Sequence, residues 1–135
     1  VWGTPKPANG VVGAAIGRDR RNRKRMAVAP EGRPSVTNYE TMEVFPDVSL
    51  VKVRPVTGRT HQIRVHLTSI GHPLVGDALY SNKKTVLVKR QFLHAEKLTF
   101  AQPSTGEVLE ISSPLPADLQ RALDFLRKIV VATNN

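Results

Sequence analysis

Residues 35–56 constrain the fold more than any other stretch. "SVTNYETMEVF" (35–45) is rich in Val, Thr, Tyr and Phe, the residues that fit a pleated strand. In "SLVKVRPV" (49–56), Val51 and Val53 alternate with Lys52 and Arg54, the period of a half-buried strand. Phe45-Pro46-Asp47 between them supplies a turn, so the two segments predict an antiparallel hairpin. Just past it, after Thr57-Gly58, the period changes. Ile63, Leu67 and Ile70 recur at i, i+4 and i+7, one face of a helix. Thr60 is the expected N-cap and Gly71 the expected C-terminal stop, with Pro73 beyond.

The rest of the chain extends this pattern. "TPKPANG" (4–10) reads as loop. "VVGAAIG" (11–17) reads as one short strand punctuated by glycine. "RDRRNRKR" (18–25) holds six basic residues and one acid, has no apolar period, and predicts an exposed loop or arm. Residues 92–100 and 107–112 predict a second hairpin with its turn near Pro103 to Gly106. Pro116 opens an amphipathic helix with Leu119, Leu123, Leu126 and Val130 on one stripe. Hairpins dominate and no domain boundary is visible. The fold class is therefore α+β, with a mostly antiparallel mixed sheet and two main helices.

Charge and composition narrow the partners. Twenty basic against 11 acidic side chains leave a net charge of +9. Such an excess points to a polyanion, nucleic acid first and an anionic membrane surface second. There are no cysteines, which excludes a disulfide scaffold, a cysteine nucleophile and thiolate-bound zinc, and fits a reducing cytosol. No apolar run reaches about 18 residues, so no membrane span is expected. "VWGTPKPANG" has no apolar signal region. The chain begins with Val, so it is expected to be processed or to be a piece of a longer polypeptide.

Several chemistries lack their residues. His61 and His66 are five apart, about 140° around a helix, and diverge. His72 and His94 are isolated and HExxH is absent, so no metal site is expected and the histidines read as surface or hydrogen-bonding groups. No GxSxG elbow, Walker A loop or GxGxxG loop occurs, so neither hydrolytic nor nucleotide-cofactor chemistry has support. His61, Arg64 and Thr68 share a face next to the apolar stripe of the first helix. An arginine there either holds a carboxylate or phosphate, or bridges to a structural acid or reaches water. Likewise Arg18, Arg20, Arg21, Arg23, Lys24 and Arg25 either contact phosphates or form a solvated arm.

The 24 residues "TGRTHQIRVHLTSIGHPLVGDALY" (57–80) resemble the C-terminal signature of the RluA/RluD-like family of RNA pseudouridine synthases. "VVGAAIGRDRRNRKRMAV", "RPSVTNYE", "LHAEKLTF" with a following Pro and "TGE", and "SPLPADL" resemble it in the same order, from Val1 to about Leu126. The resemblance implies the back part of one catalytic domain over 1–135, with a basic loop at 17–26, the signature at 57–80 and a C-terminal helix at 117–131. It implies a cytoplasmic enzyme that isomerises uridine in RNA without a cofactor, with large-subunit rRNA ranked ahead of tRNA. It implies that Arg64 is the basic residue paired with the catalytic aspartate and that Ile63 packs on the flipped base. Arg59, Thr60, His61 and Gln62 complete the substrate pocket by the same resemblance. The family's aspartate lies in an upstream "HRLD" segment, and no such segment occurs in these residues. Asp77 matches a structural position of the signature, Asp19 sits in the basic loop and Asp47 in a turn. The chain alone is therefore expected to be inactive and to self-associate through exposed sheet edges. The alternative is a non-catalytic RNA-binding module derived from the family.

Overall fold

The computed structural model describes residues 1–134. The elements run β1 (Asn9–Gly13), β2 (Ile16–Arg18), β3 (Met26–Val28), β4 (Val36–Val44), β5 (Ser49–Pro55), α1 (Gln62–Ser69), β6 (Lys97–Ala101), β7 (Val108–Ser112) and α2 (Ala117–Asn134). The class is α+β, as expected. The sheet is not one mixed body. The described strands form three antiparallel sheets, ordered β1-β4-β5, β2-β3 and β6-β7.

The β4–β5 hairpin sets Tyr39 opposite Val53 and Glu40 opposite Lys52, with a bulge between Thr41 and Glu43. Alternation puts Thr37 and Tyr39 inward, both buried. The turn closes with the Phe45 N–H donating to the Val48 carbonyl at 2.9 Å. Asp47 occupies the left-handed region at φ 66°, which a short polar side chain tolerates better than most. β1 pairs with the other side of β4, Val12 opposite Thr37.

The apolar run at 11–17 is two strands rather than one. β1 ends at Gly13, and β2 starts at Ile16, which is buried and faces Val28 across the β2–β3 hairpin. The basic stretch therefore becomes the closed tip of that hairpin, not an arm. A close backbone approach supports the bend: a Cβ on Gly32 would run into the Ile16 carbonyl group.

α1 forms where its period predicts, but it turns a different face inward. Gln62, Val65, His66 and Leu67 are buried, Ile63 is half-buried, and Ile70 is 36% exposed. The buried arc is rotated by roughly one-quarter of a turn from the apolar stripe. The reason is the polar pair Gln62 and His66, which pack onto β4 through hydrogen bonds. The N-cap is His61, not Thr60, and it makes no side-chain cap bond. The C-terminus follows expectation. Gly71 at φ 87° lets its N–H reach the Thr68 carbonyl and the His72 N–H reach the Leu67 carbonyl, a Schellman closure.

The second hairpin is shorter than 92–100 and 107–112. Residues 92–96 leave the ladder, and the Phe92 N–H donates to the Val75 carbonyl at 2.8 Å while its ring joins the core. α2 starts directly after Pro116. Leu119 and Leu123 are buried, and Leu123 packs with Phe45, Val48 and Val75. Arg127 is bidentate to Glu43, tying α2 to β4 at 3.1 and 2.8 Å. No helix among the described residues is long and apolar enough to cross a membrane.

Candidate functional site

The site grows from the loop that joins β5 to α1. Thr57 Oγ1 accepts the Val36 N–H at 3.0 Å and donates to Gln62 Oε1 at 2.7 Å. The same Oε1 accepts the Arg59 N–H at 3.0 Å. Gln62 Nε2 donates to the Val36 carbonyl and to Thr37 Oγ1, both at 2.9 Å. The four hydrogen-bonding positions of this amide are thus filled by the chain itself, at 4% exposure. Thr37 Oγ1 lies 2.7 Å from His66 Nδ1, and His66 Nε2 lies 2.8 Å from the Ala14 carbonyl. A carbonyl only accepts, so Nε2 carries a proton. This network nails the start of α1 to β4 and to the β1–β2 bend. It leaves Gln62 without a free group for a substrate, so its contribution to a pocket is structural.

Arg64 stands one residue beyond Ile63 on a partly buried flank of α1. Its Nε donates to Asp77 Oδ2 at 2.8 Å and its Nη2 to Asp77 Oδ1 at 2.9 Å. The Asp77 side chain is fully buried and that of Arg64 is 13% exposed. Asp77 Oδ1 also accepts the Leu79 and Tyr80 N–H groups at 3.1 and 3.2 Å. Burial pushes the Asp77 carboxyl up, but the Arg64 hydrogen bond, the two N–H groups and the guanidinium charge outweigh it and hold it below the usual carboxylate range. The hydrogen bonds it donates to Asp77 raise the Arg64 value further above its ordinary level. Asp77 fixes a guanidinium. Two of the five N–H donors of Arg64 are engaged. The edge formed by Nη1 has no partner among the described residues.

Tyr80 closes the other side. The Arg64 guanidinium lies 5.0 Å from its ring centroid, and the His61 ring meets it edge-on at 5.6 Å and 88°. Tyr80 Oη accepts the Met26 N–H at 2.9 Å and lies 2.8 Å from His61 Nδ1. His61 has φ 54° and ψ 23°, a strained backbone for a non-glycine residue. Burial and the Arg64 charge push the His61 imidazole down, with Asp77 opposing. Nothing in the sequence reading singled out Tyr80. The one signal was Gly76 ahead of Asp77-x-x-Tyr80, a turn of the kind that re-aims side chains.

The basic hairpin tip is docked beside this cluster. Arg25 Nη2 and Nε hold Asp19 Oδ2 at 3.0 and 3.2 Å, and Arg25 Nη1 reaches the Leu79 carbonyl at 3.4 Å. Asp19 Oδ1 accepts the Arg21 and Asn22 N–H groups, which curls the tip. Arg18 donates to the Arg23 carbonyl and Arg20 pairs with Glu31. The side chains of Arg21, Arg23 and Lys24 make no ion pair among the described residues. Of the six cations in the stretch, all but Arg25 are exposed, Arg20 at 85% of its side chain despite Glu31, and Arg25 is a buttress. Arg59 is anchored by two bonds to the Pro34 carbonyl at 3.1 and 3.0 Å, and Thr60 is exposed. His72 and His94 bond backbone carbonyls of Trp2 and Ser113, away from the site. Among the described residues no group of three or more His, Asp or Glu side chains could hold a metal ion.

Known proteins resemble the chain along most of its length. A family model described as RNA pseudouridylate synthase matches residues 4–69. A Chloroflexus aurantiacus protein described as an uncharacterized RNA pseudouridine synthase is 51% identical over 128 residues, covering 94% of this chain and 40% of that protein. The ribosomal large subunit pseudouridine synthase D of Nitrosomonas europaea is 43% identical over 129 residues, covering 90% of this chain and 38% of that protein. The structure of human RNA Pseudouridylate Synthase Domain Containing 4 superposes with a TM-score of 0.74 at 26% identity, over 93% of this chain and 59% of that one. The chain spans about two-fifths of the length of these two curated relatives.

Proposed function

Because the chain belongs to the RluA/RluD-like family of RNA pseudouridine synthases, we propose that it serves the isomerisation of uridine to pseudouridine in structured RNA, large-subunit rRNA ahead of tRNA, in the cytoplasm. One observation carries this reading. Arg64 is held on one edge by Asp77 and on its face by Tyr80, while its Nη1 has no hydrogen-bond partner among the described residues. A guanidinium so fixed is preorganised to meet a second carboxylate. That carboxylate is the catalytic aspartate, supplied from outside these 135 residues. The Arg64 guanidinium favours its ionised form and orients it for attack.

Ile63, Thr60, Arg59 and His61 receive the flipped base, with Ile63 as its apolar wall. Arg21, Arg23 and Lys24 bind phosphates without reading sequence, while Arg18, Arg20 and Arg25 shape the hairpin that presents them. The 135 residues alone are predicted not to turn over uridine. They are also predicted to self-associate through the exposed Leu98, Phe100 and Ile111 face of β6–β7, read as a sedimentation coefficient that rises with concentration.

The test is a fusion of this chain to the upstream part of the Chloroflexus relative, assayed by tritium release from RNA containing 5-tritiated uridine. Release by the fusion and none by the chain alone is expected, and Arg64→Ala abolishes it. Near-normal release from Arg64→Ala refutes the role given to Arg64. A fusion that binds RNA but releases no tritium points to the non-catalytic RNA-binding module.

A further inference from the structure

Tyr80 does more than the turn at 77–80 requires. That turn is already held by Asp77 Oδ1, which accepts the Leu79 and Tyr80 N–H groups. The phenol oxygen instead reaches two distant segments, Met26 on β3 and His61 at the head of α1.

Proton counting assigns the roles. A phenol has one proton and two acceptor positions. The Met26 N–H can only donate, so it takes an acceptor position at 2.9 Å. His61 Nδ1, at 2.8 Å, is the other hydrogen-bond partner of Tyr80 Oη among the described residues. The phenol proton goes to Nδ1, and the imidazole proton sits on Nε2. The opposite tautomer leaves the phenol proton of a half-buried side chain without an acceptor. An imidazolium is disfavoured by burial of the ring and by Arg64 beside it, against the opposing charge of Asp77. Nε2 has no partner among the described residues. The strained backbone at φ 54° holds the ring in this place.

We propose that Tyr80 is a positioning residue that joins the basic hairpin to the base-binding side of the site: anchored by Met26, it donates to His61 Nδ1 and so presents the His61 Nε2–H, beside Arg64, as a neutral donor to a carbonyl oxygen of the target uracil. The acceptor class follows from charge. A neutral N–H suits a neutral carbonyl, whereas phosphates are matched by the three free cations of the hairpin tip. The ring itself spans the three parts, with His61, Arg64 and Arg25 all against it. Loop docking on RNA is thereby linked to the geometry of the donor and the arginine. This rests on the uridine-isomerase reading above.

Nitrogen-15 NMR of the 135-residue chain labelled at histidine reads the tautomer directly. At neutral pH, His61 should show an unprotonated, hydrogen-bonded Nδ1 and a protonated Nε2. In Tyr80→Phe, the Nδ1 resonance should move toward that of a free unprotonated nitrogen, and the Met26 amide should exchange about tenfold faster, the worth of one hydrogen bond. A protonated Nδ1 in the unaltered chain, or an unmoved Nδ1 in a folded Tyr80→Phe, overturns the proposal. Should Tyr80→Phe fail to fold, the tautomer of the unaltered chain still decides. In the fusion, Tyr80→Phe and His61→Ala should each lower kcat/KM about tenfold. The double variant should be no slower than His61→Ala, because Tyr80 acts through His61. Losses that multiply overturn it. A fusion without any isomerisation counts against the isomerase reading instead, and the NMR result still stands or falls for Tyr80.

Discussion

Replacing Arg64 with Ala should cost the chain about 3 kcal/mol of stability, apart from any effect on chemistry. The figure comes from what is left behind. Asp77 is fully buried and receives four hydrogen bonds, two from Arg64 and two from the Leu79 and Tyr80 N–H groups. Removing one partner of a buried ion pair costs about 3–5 kcal/mol, because the other charge stays desolvated. The lower end applies here, since Asp77 keeps two N–H donors and the gap left by Arg64 opens to water. Urea unfolding followed by circular dichroism reads the loss. With a slope near 1–3 kcal/mol/M, the midpoint should fall by roughly 1–3 M.

Acid provides an independent check on the same pair. The folded Asp77 value lies below its unfolded 3.8, so its stabilisation is present above that pH and is lost as pH falls through the depressed folded value. Arg64→Ala should move that loss to higher pH. A cost under about 1 kcal/mol with an unchanged acid limb would refute the reasoning, since Asp77 would then be satisfied without the guanidinium.

Two further outcomes are expected. Gly32→Ala should destabilise by about 2–4 kcal/mol, because the new methyl meets backbone atoms of Ile16 and Gly17 rather than a movable side chain; a loss below about 0.5 kcal/mol in thermal unfolding would show that β2 can shift. Changing Arg21, Arg23 and Lys24 together to Ala should flatten the dependence of log Kd for RNA on log salt by up to about 2–3. An unchanged slope would make the hairpin tip a bystander.

Much of the fold was legible because its signals are local. The β4–β5 hairpin followed from alternation and a turn within about twenty residues, and the Gly71 stop from the one residue that adopts φ 87° without strain. α2 followed from a leucine stripe. The inward face of α1 departs from its apolar spacing for a physical reason. Apolar spacing marks a face for the core only when burial is apolar, and here Gln62 and His66 are buried through hydrogen bonds to Val36, Thr37 and Ala14. No periodicity reports such a network.

The signature segment by itself marked a resemblance to the family, the helix, and the place of Arg64 at the edge of a buried face. It could not say what Arg64 holds or which basic residues stay free. Those outcomes depend on pairings 13 to 54 residues apart: Arg64 with Asp77, His61 with Tyr80, and Met26 with Tyr80. Charge and hydrogen-bond capacity are written in each residue, but which partner satisfies them is decided only when strands and turns bring distant segments within 3 Å. Tertiary structure made Asp77 the clamp on the arginine, Arg25 a buttress, and Tyr80 the joint between the basic hairpin and the site.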